Sequence, residues 1–224
     1  MGTLRKYRLE ESKCEYFIET GTGLGHSLLH AAKQRTFKTL HSSEIHKQTY
    51  KEAKHRFSKF ENVFIHNQSS SNFLNNVLPK IPSDKTCLFY LDAHFPGEVS
   101  SNYDYKKNII NETSFPLKDE LNIINKIRPK SKDIIIVDDL CLLEEGDFEN
   151  GNIAHGFANI FNKVGTSFIE EIFHDRQILR DYRDEGYLLI IPQNSPFRLR
   201  RLNWTSRLIR SLAKNFQKYI PTQM

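Results

Sequence analysis

The sequence predicts an α/β domain built on a mostly parallel, doubly wound sheet. Three observations carry this expectation. Short apolar runs alternate with segments of helical period along most of the chain. The first apolar run ends in an acid and opens into glycines at every second position, Gly21, Gly23 and Gly25. The length of 224 residues, with 38% hydrophobic and 26% charged, suits one domain with an adequate core and is too apolar for disorder.

Residues 16–18 read as the first strand, and a helix follows from about His26. Residues 37–43 read as a second strand. Tyr50, Ala53, Lys54 and Phe57 then fall at helical spacing, and two of the four are core candidates. Residues 62–66 are a third strand, and Phe73, Leu74, Val77 and Leu78 mark a short helix stopped by Pro79. Residues 87–91 are a fourth strand. Leu117, Leu121 and Ile124 stripe the helix that starts after Pro116. Residues 133–137 are a fifth strand. A helix near 154–163, a strand near 168–173 and a strand at 187–191 complete seven strands.

Composition bounds the function. Seven bases and no acid fall in residues 193–224, which leaves 25 of the 32 lysines and arginines against all 27 acids elsewhere. The basic character therefore belongs to a tail, and the body, residues 1–192, has no nucleic-acid signature. No apolar window approaches membrane-spanning length. The charged N-terminus lacks a signal-peptide core, and Lys6 stands where acylation of Gly2 requires Ser or Thr. Cys14, Cys87 and Cys141 are odd in number and scattered, which predicts a reduced, cytoplasmic chain. Two long connections, residues 95–115 and 140–152, leave the carboxyl ends of strands four and five, where open α/β sheets bind ligands.

The run Glu19-Thr20-Gly21-Thr22-Gly23-Leu24-Gly25-His26 is a strand-to-helix turn that a ligand can approach closely. A dinucleotide fingerprint requires glycine where His26 stands, so a nicotinamide cofactor is disfavoured. Glu44 ends the second strand, and a carboxylate there can accept from both hydroxyls of a ribose. On these residues the chain resembles the class I S-adenosylmethionine-dependent methyltransferases. Glu19, Gly21, Gly23 and Gly25 match that family's first motif, and Glu44 matches its ribose-binding acid. The resemblance implies a Rossmann-like seven-stranded sheet with the last strand antiparallel. It places Thr22 in the cofactor turn, Gln68 and Ser69 at the adenine, and Asp92 at the cofactor's reactive end. The family often has an Asp at the adenine position, where this chain has Gln68.

Asp92 closes strand four, and Asp138 and Asp139 close strand five. Like charges at one rim need a cation, donors or protons to compensate them. Capping and backbone hydrogen bonds are the alternative use of these acids. Here the chain resembles the macrocin O-methyltransferase-like sugar O-methyltransferases. That resemblance implies Asp92, Asp138 and Asp139 as ligands of Mg²⁺ or Mn²⁺, with Asp92 also at the reacting atoms and His94 as the base. The run from Phe89 to Phe95 is also similar to short methyltransferases of bacterial surface-polysaccharide clusters. The function implied is O-methylation of a sugar or sugar-phosphate hydroxyl in capsule or other surface-polysaccharide synthesis. Methylation of a small-molecule amine and a non-catalytic binding module remain open. The chain lacks the Pro-Pro-aromatic turn by which methyltransferases of base amines resemble one another.

His155 is a weaker candidate for facing substrate, and His26, His41 and His66 have no forced role. In the tail, Leu202, Thr205, Leu208, Ile209, Leu212, Ala213 and Phe216 follow helical spacing, with Arg207, Arg210, Lys214 and Lys218 off that stripe. Packing on the domain or on a second copy, contact with anionic lipid at the inner face of the membrane, and RNA binding are its three readings, in that order.

Overall fold

The computed structural model describes residues 4–94, 115–129, 131–152 and 165–202. Seven strands form one sheet: β1 (Tyr16–Thr20), β2 (Thr39–Ser43), β3 (Val63–His66), β4 (Cys87–Leu91), β5 (Ile134–Val137), β6 (Arg176–Asp181) and β7 (Tyr187–Pro192). Their order is β3-β2-β1-β4-β5-β7-β6. The pairs among the first five strands are parallel, and β7 runs antiparallel to both its neighbours. The expected doubly wound sheet with an antiparallel last strand is the fold observed.

The described helices are α1 (His26–Gln34), α2 (Lys47–Arg56), α3 (Ser70–Val77), α4 (Leu117–Ile127) and α5 (Ser167–Ile172). The central strand β4 is buried at every position, as a parallel strand covered on both faces must be. Its side chains alternate between two cores. Cys87, Phe89 and Leu91 join α3, α4 and α5 through Phe73, Leu121 and Ile169. Leu88 and Tyr90 join α1 and the N-terminal segment through Leu28, Ala31 and Tyr7.

One predicted element changes type. Residues 168–173, read as a strand, form the helix α5, because Ile169 and Phe173 bury a common face four residues apart. The sixth strand lies just beyond it, at Arg176–Asp181. Its charges concealed it: among the described strands it pairs only with β7, at the sheet edge, where polar side chains are favoured. The predicted helix near 154–163 falls outside the described residues.

The folded body runs past Pro192. Arg8 N–H donates to the Arg200 carbonyl at 2.9 Å and Leu202 N–H to the Lys6 carbonyl at 2.7 Å. Phe197 and Leu199 enter the second core. The amphipathic stretch beyond Leu202 lies outside the described residues. None of the described helices is long and apolar enough to cross a membrane.

The order of strands fixes the place of a ligand. β2 and β3 lie on one side of β1, and β4 and β5 lie on the other. The chain reverses its direction of build between β1 and β4, whose ends meet at Thr20 and Leu91. A crevice opens at the carboxyl ends of such a pair.

Candidate active site

The three glycines of the turn do three different jobs. Gly21 has φ 82°, and a Cβ there would overlap the backbone carbonyl of Asp92. Gly25 has φ 67° and caps α1, and its Cβ would stand 2.7 Å from the Phe57 ring. Gly23 has φ 47°, and no atom lies within 4 Å of its would-be Cβ. The first and third glycines are therefore required by packing. The space over the second is the part of the turn left open for a ligand.

Acids brace this turn from beneath. Glu19 is 1% exposed and accepts from the Ser42 hydroxyl at 2.5 Å, and the Ser42 and Thr22 hydroxyls lie 2.6 Å apart. Burial pushes Glu19 well above the usual carboxylate range, Ser42 opposes that, and Asp92 and Glu44 add repulsion. Glu44 accepts from Gly23 N–H at 3.0 Å and from His46 N–H at 2.8 Å. It thus clamps the turn to the end of β2 while each oxygen keeps a lone pair for a ribose hydroxyl. Asn67, which sequence reasoning passed over, donates from Nδ2 to the Glu44 carbonyl at 2.8 Å and holds this loop to the end of β3.

The two residues expected at the adenine divide. Gln68 Oε1 is buried without a hydrogen-bond partner, an orphaned acceptor of the kind an exocyclic amine satisfies. The Ser69 hydroxyl accepts from Asn72 N–H and is the N-cap of α3. The open Gly23 cradle, the lone pairs of Glu44 and the orphaned Gln68 oxygen together fit a nucleoside-bearing cofactor.

A second cluster stands beside the first. His94 Nε2 lies 2.8 Å from Asp139 Oδ2 and 3.2 Å from Asp92 Oδ1. Ligand atoms of these three residues lie within 4.8 Å of one another, close enough to hold a cation. Burial would lower the His94 pKa, but Asp139 and Asp92 more than reverse it, so the imidazole is held well above its usual range. In this arrangement the two carboxylates favour the protonated ring, which lies between them.

The cluster differs from the expected set of Asp92, Asp138 and Asp139. Side chains of a strand alternate faces, and position 138 falls on the face of Ile136, with Tyr90 and Tyr187. The Tyr90 hydroxyl donates to Asp138 Oδ2. Asp138 Oδ1 remains buried without a partner, as does Asp139 Oδ1. Burial first, then Asp139 and Asp92, raises the Asp138 pKa. His94 takes the third place in the cluster. Orphaned carboxylate oxygens fit a divalent cation, and an imidazole among them favours Mn²⁺ over Mg²⁺.

Glu120, which the sequence reading missed, lines one cavity with Asp92, His94 and Asp138. Burial pushes its carboxyl up to about 7, against the nearby Ser70 and Thr20 hydroxyls and with Asp92. The one available signal was an acid in register with the stripe Leu117, Leu121 and Ile124. His41 and His66 pair with each other at 3.1 Å on β2 and β3, and His26 opens α1. His155 lies outside the described residues.

This sheet and crevice are the fold of the class I methyltransferases, as a solved structure bears out. A candidate caffeoyl-CoA O-methyltransferase from Staphylococcus aureus superimposes with a TM-score of 0.56 at 17% identity, over 82% of this chain and 78% of that one. An O-methyltransferase from Bacillus cereus in complex with SAH aligns at 0.46 and 12% identity, over 80% and 75% of the two chains. A SAM-dependent methyltransferase from Aquifex aeolicus aligns at 0.46 and 14%, over 84% and 89%. The chain matches no protein-family model and no curated protein.

Proposed function

We propose that the chain transfers the methyl group of S-adenosylmethionine to a hydroxyl of a sugar or sugar-phosphate, with a divalent cation assisting, in capsule or other surface-polysaccharide synthesis. One observation carries this reading. Asp92 belongs to both clusters: its carbonyl packs on Gly21 of the turn, and its carboxylate sits in the Asp92–His94–Asp139 group. An acceptor held at the second cluster is thereby adjacent to a cofactor held at the first.

When bound, the cofactor supplies an activated methyl group and the cation lowers the pKa of an acceptor hydroxyl. The chain's own residues bind and align. Gly23 leaves room for the cofactor, Glu44 accepts from its ribose, and Gln68 Oε1 accepts from its base. Asp92 and Asp139 would hold the cation. His94 Nε2 is the atom that holds or moves a proton, and its work as a base requires a neutral ring. Alignment of two reactants in one crevice accounts for a large share of such a rate enhancement. The sugar class rests on the similarity of the run from Phe89 to Phe95 to surface-polysaccharide methyltransferases.

Mass spectrometry of surface glycans from cells with and without the gene tests the reading. Loss of a methyl ether on deletion, restored by the wild-type gene and not by Asp92→Ala, is the expected result. Identical glycans in both cells would overturn the saccharide assignment.

A further inference from the structure

Glu120 is the polar exception on an apolar helix face. α4 buries Leu117, Leu121 and Ile124, and Glu120 stands among them at 1% exposure. Its Oε1 has no hydrogen-bond partner. A carboxylate taken out of water without full compensation is costly, so packing alone would favour Leu here.

Glu120 also lines a cavity that takes in two members of the second cluster. Asp92, His94 and Asp138 share that cavity with it, against an apolar wall of Phe115 and Val137. Asp138 brings a second buried oxygen without a partner, Oδ1. Among the described residues that line this space, three acids stand beside the His94 ring and no lysine or arginine.

Glu120 stands outside the group of three residues whose ligand atoms lie within 4.8 Å of one another. It shares a cavity with two members of that group, Asp92 and His94. Mg²⁺ and Mn²⁺ keep several waters when bound by few carboxylates, and those waters need acceptors.

We propose that Glu120 belongs to the divalent-cation site, as the acceptor for water retained by a cation on Asp92 and Asp139. This rests on the cation-assisted reading given above. It adds a carboxylate from α4 to a site otherwise built from the ends of β4 and β5. It also explains why an apolar helix face carries a buried acid at one position only.

Titration of Mn²⁺ into the full-length, metal-free protein, followed by the paramagnetic signal of free Mn²⁺, tests this without any acceptor or activity. Wild type should bind, and Glu120→Gln should weaken binding roughly ten- to hundred-fold, the usual effect of losing an outer-layer partner. Glu120→Leu should lose Mn²⁺ to at least the same extent while melting no lower than wild type, because Leu continues the apolar face. S-adenosylhomocysteine binding by both variants shows that the fold is intact. Wild-type Mn²⁺ affinity in Glu120→Gln overturns the proposal and leaves the cation reading standing. Absence of Mn²⁺ binding by the wild type overturns both. Variants that lose S-adenosylhomocysteine and melting temperature together with Mn²⁺ would assign Glu120 to the fold, which also overturns it.

Discussion

Asp139 reaches His94 from a left-handed backbone. Its φ is 51°, and its Oδ2 lies 2.8 Å from the imidazole Nε2. Such a conformation costs a non-glycine residue roughly 1–2 kcal/mol, and Asp and Asn tolerate it best. Flanking bonds hold it: Asp138 N–H donates to the Leu91 carbonyl at 3.0 Å and Leu140 N–H to the Gly186 carbonyl at 3.0 Å. Asp139→Asn should therefore keep the fold. It should weaken Mn²⁺ binding by roughly tenfold or more, since it removes a charged ligand from the cluster. Calorimetric titration of Mn²⁺ checks this, and unchanged affinity would remove Asp139 from the cation site.

The glycines of the turn should separate fold from binding. Gly21→Ala forces a methyl group against the Asp92 carbonyl at φ 82°, so it should destabilise by at least about 1–2 kcal/mol from backbone strain alone. Gly23→Ala meets open space. It should pay only the cost of its positive φ, yet reduce affinity for S-adenosylhomocysteine. Thermal melts beside binding titrations measure both, and equal losses of stability in the two variants would contradict the division of roles.

Much of this arrangement was legible in the sequence, and the residues show why. Strands β1, β4, β5 and β7 are apolar runs between turn residues, and burial follows from that composition. Gly21 and Gly25 looked like ligand glycines because a sequence does not reveal that Asp92 and Phe57 press against them. Asp138 and Asp139 are equivalent as letters, and only the backbone after β5 turns one to Tyr90 and the other, from its left-handed φ, to His94. Glu120 was hidden for a related reason. Its register on α4 was visible, but its neighbours across the sheet were not. The edge strand β6 reads as a charged loop because an edge position does not demand apolar residues.

Asp184 offers a pH test outside the cation cluster. Burial would raise its pKa, but Lys6 and Tyr7 more than reverse this and hold it below the usual carboxylate value. Tyr7 donates to its Oδ2 at 2.8 Å. A depressed folded pKa contributes stability that is present above the unfolded value, near 3.8, and lost as pH falls through the folded one. Asp184→Asn should then cost about 1.5–3 kcal/mol at neutral pH, the range for hydrogen bonds to charged groups. The gap between variant and wild type should close as pH falls below the depressed folded value. Urea denaturation across that range checks it, and a gap independent of pH would refute the charge account.

Truncation should locate the end of the folded body. A chain ending at Pro192 loses Phe197 and Leu199, each 4% exposed, from the second core. Each buried side chain of this kind contributes roughly 1.5–3 kcal/mol. A chain ending at Leu202 keeps both. The shorter chain should melt well below the longer one in scanning calorimetry, and equal melting would show that this return segment contributes nothing.

The central claim is that the crevice between β1 and β4 holds S-adenosylmethionine. Isothermal titration with S-adenosylhomocysteine tests it most directly. Wild type should show saturable one-site binding, and Gly23→Val should abolish it by filling the space that Gly23 leaves open. Binding of NAD in place of S-adenosylhomocysteine, or of neither, would contradict the account.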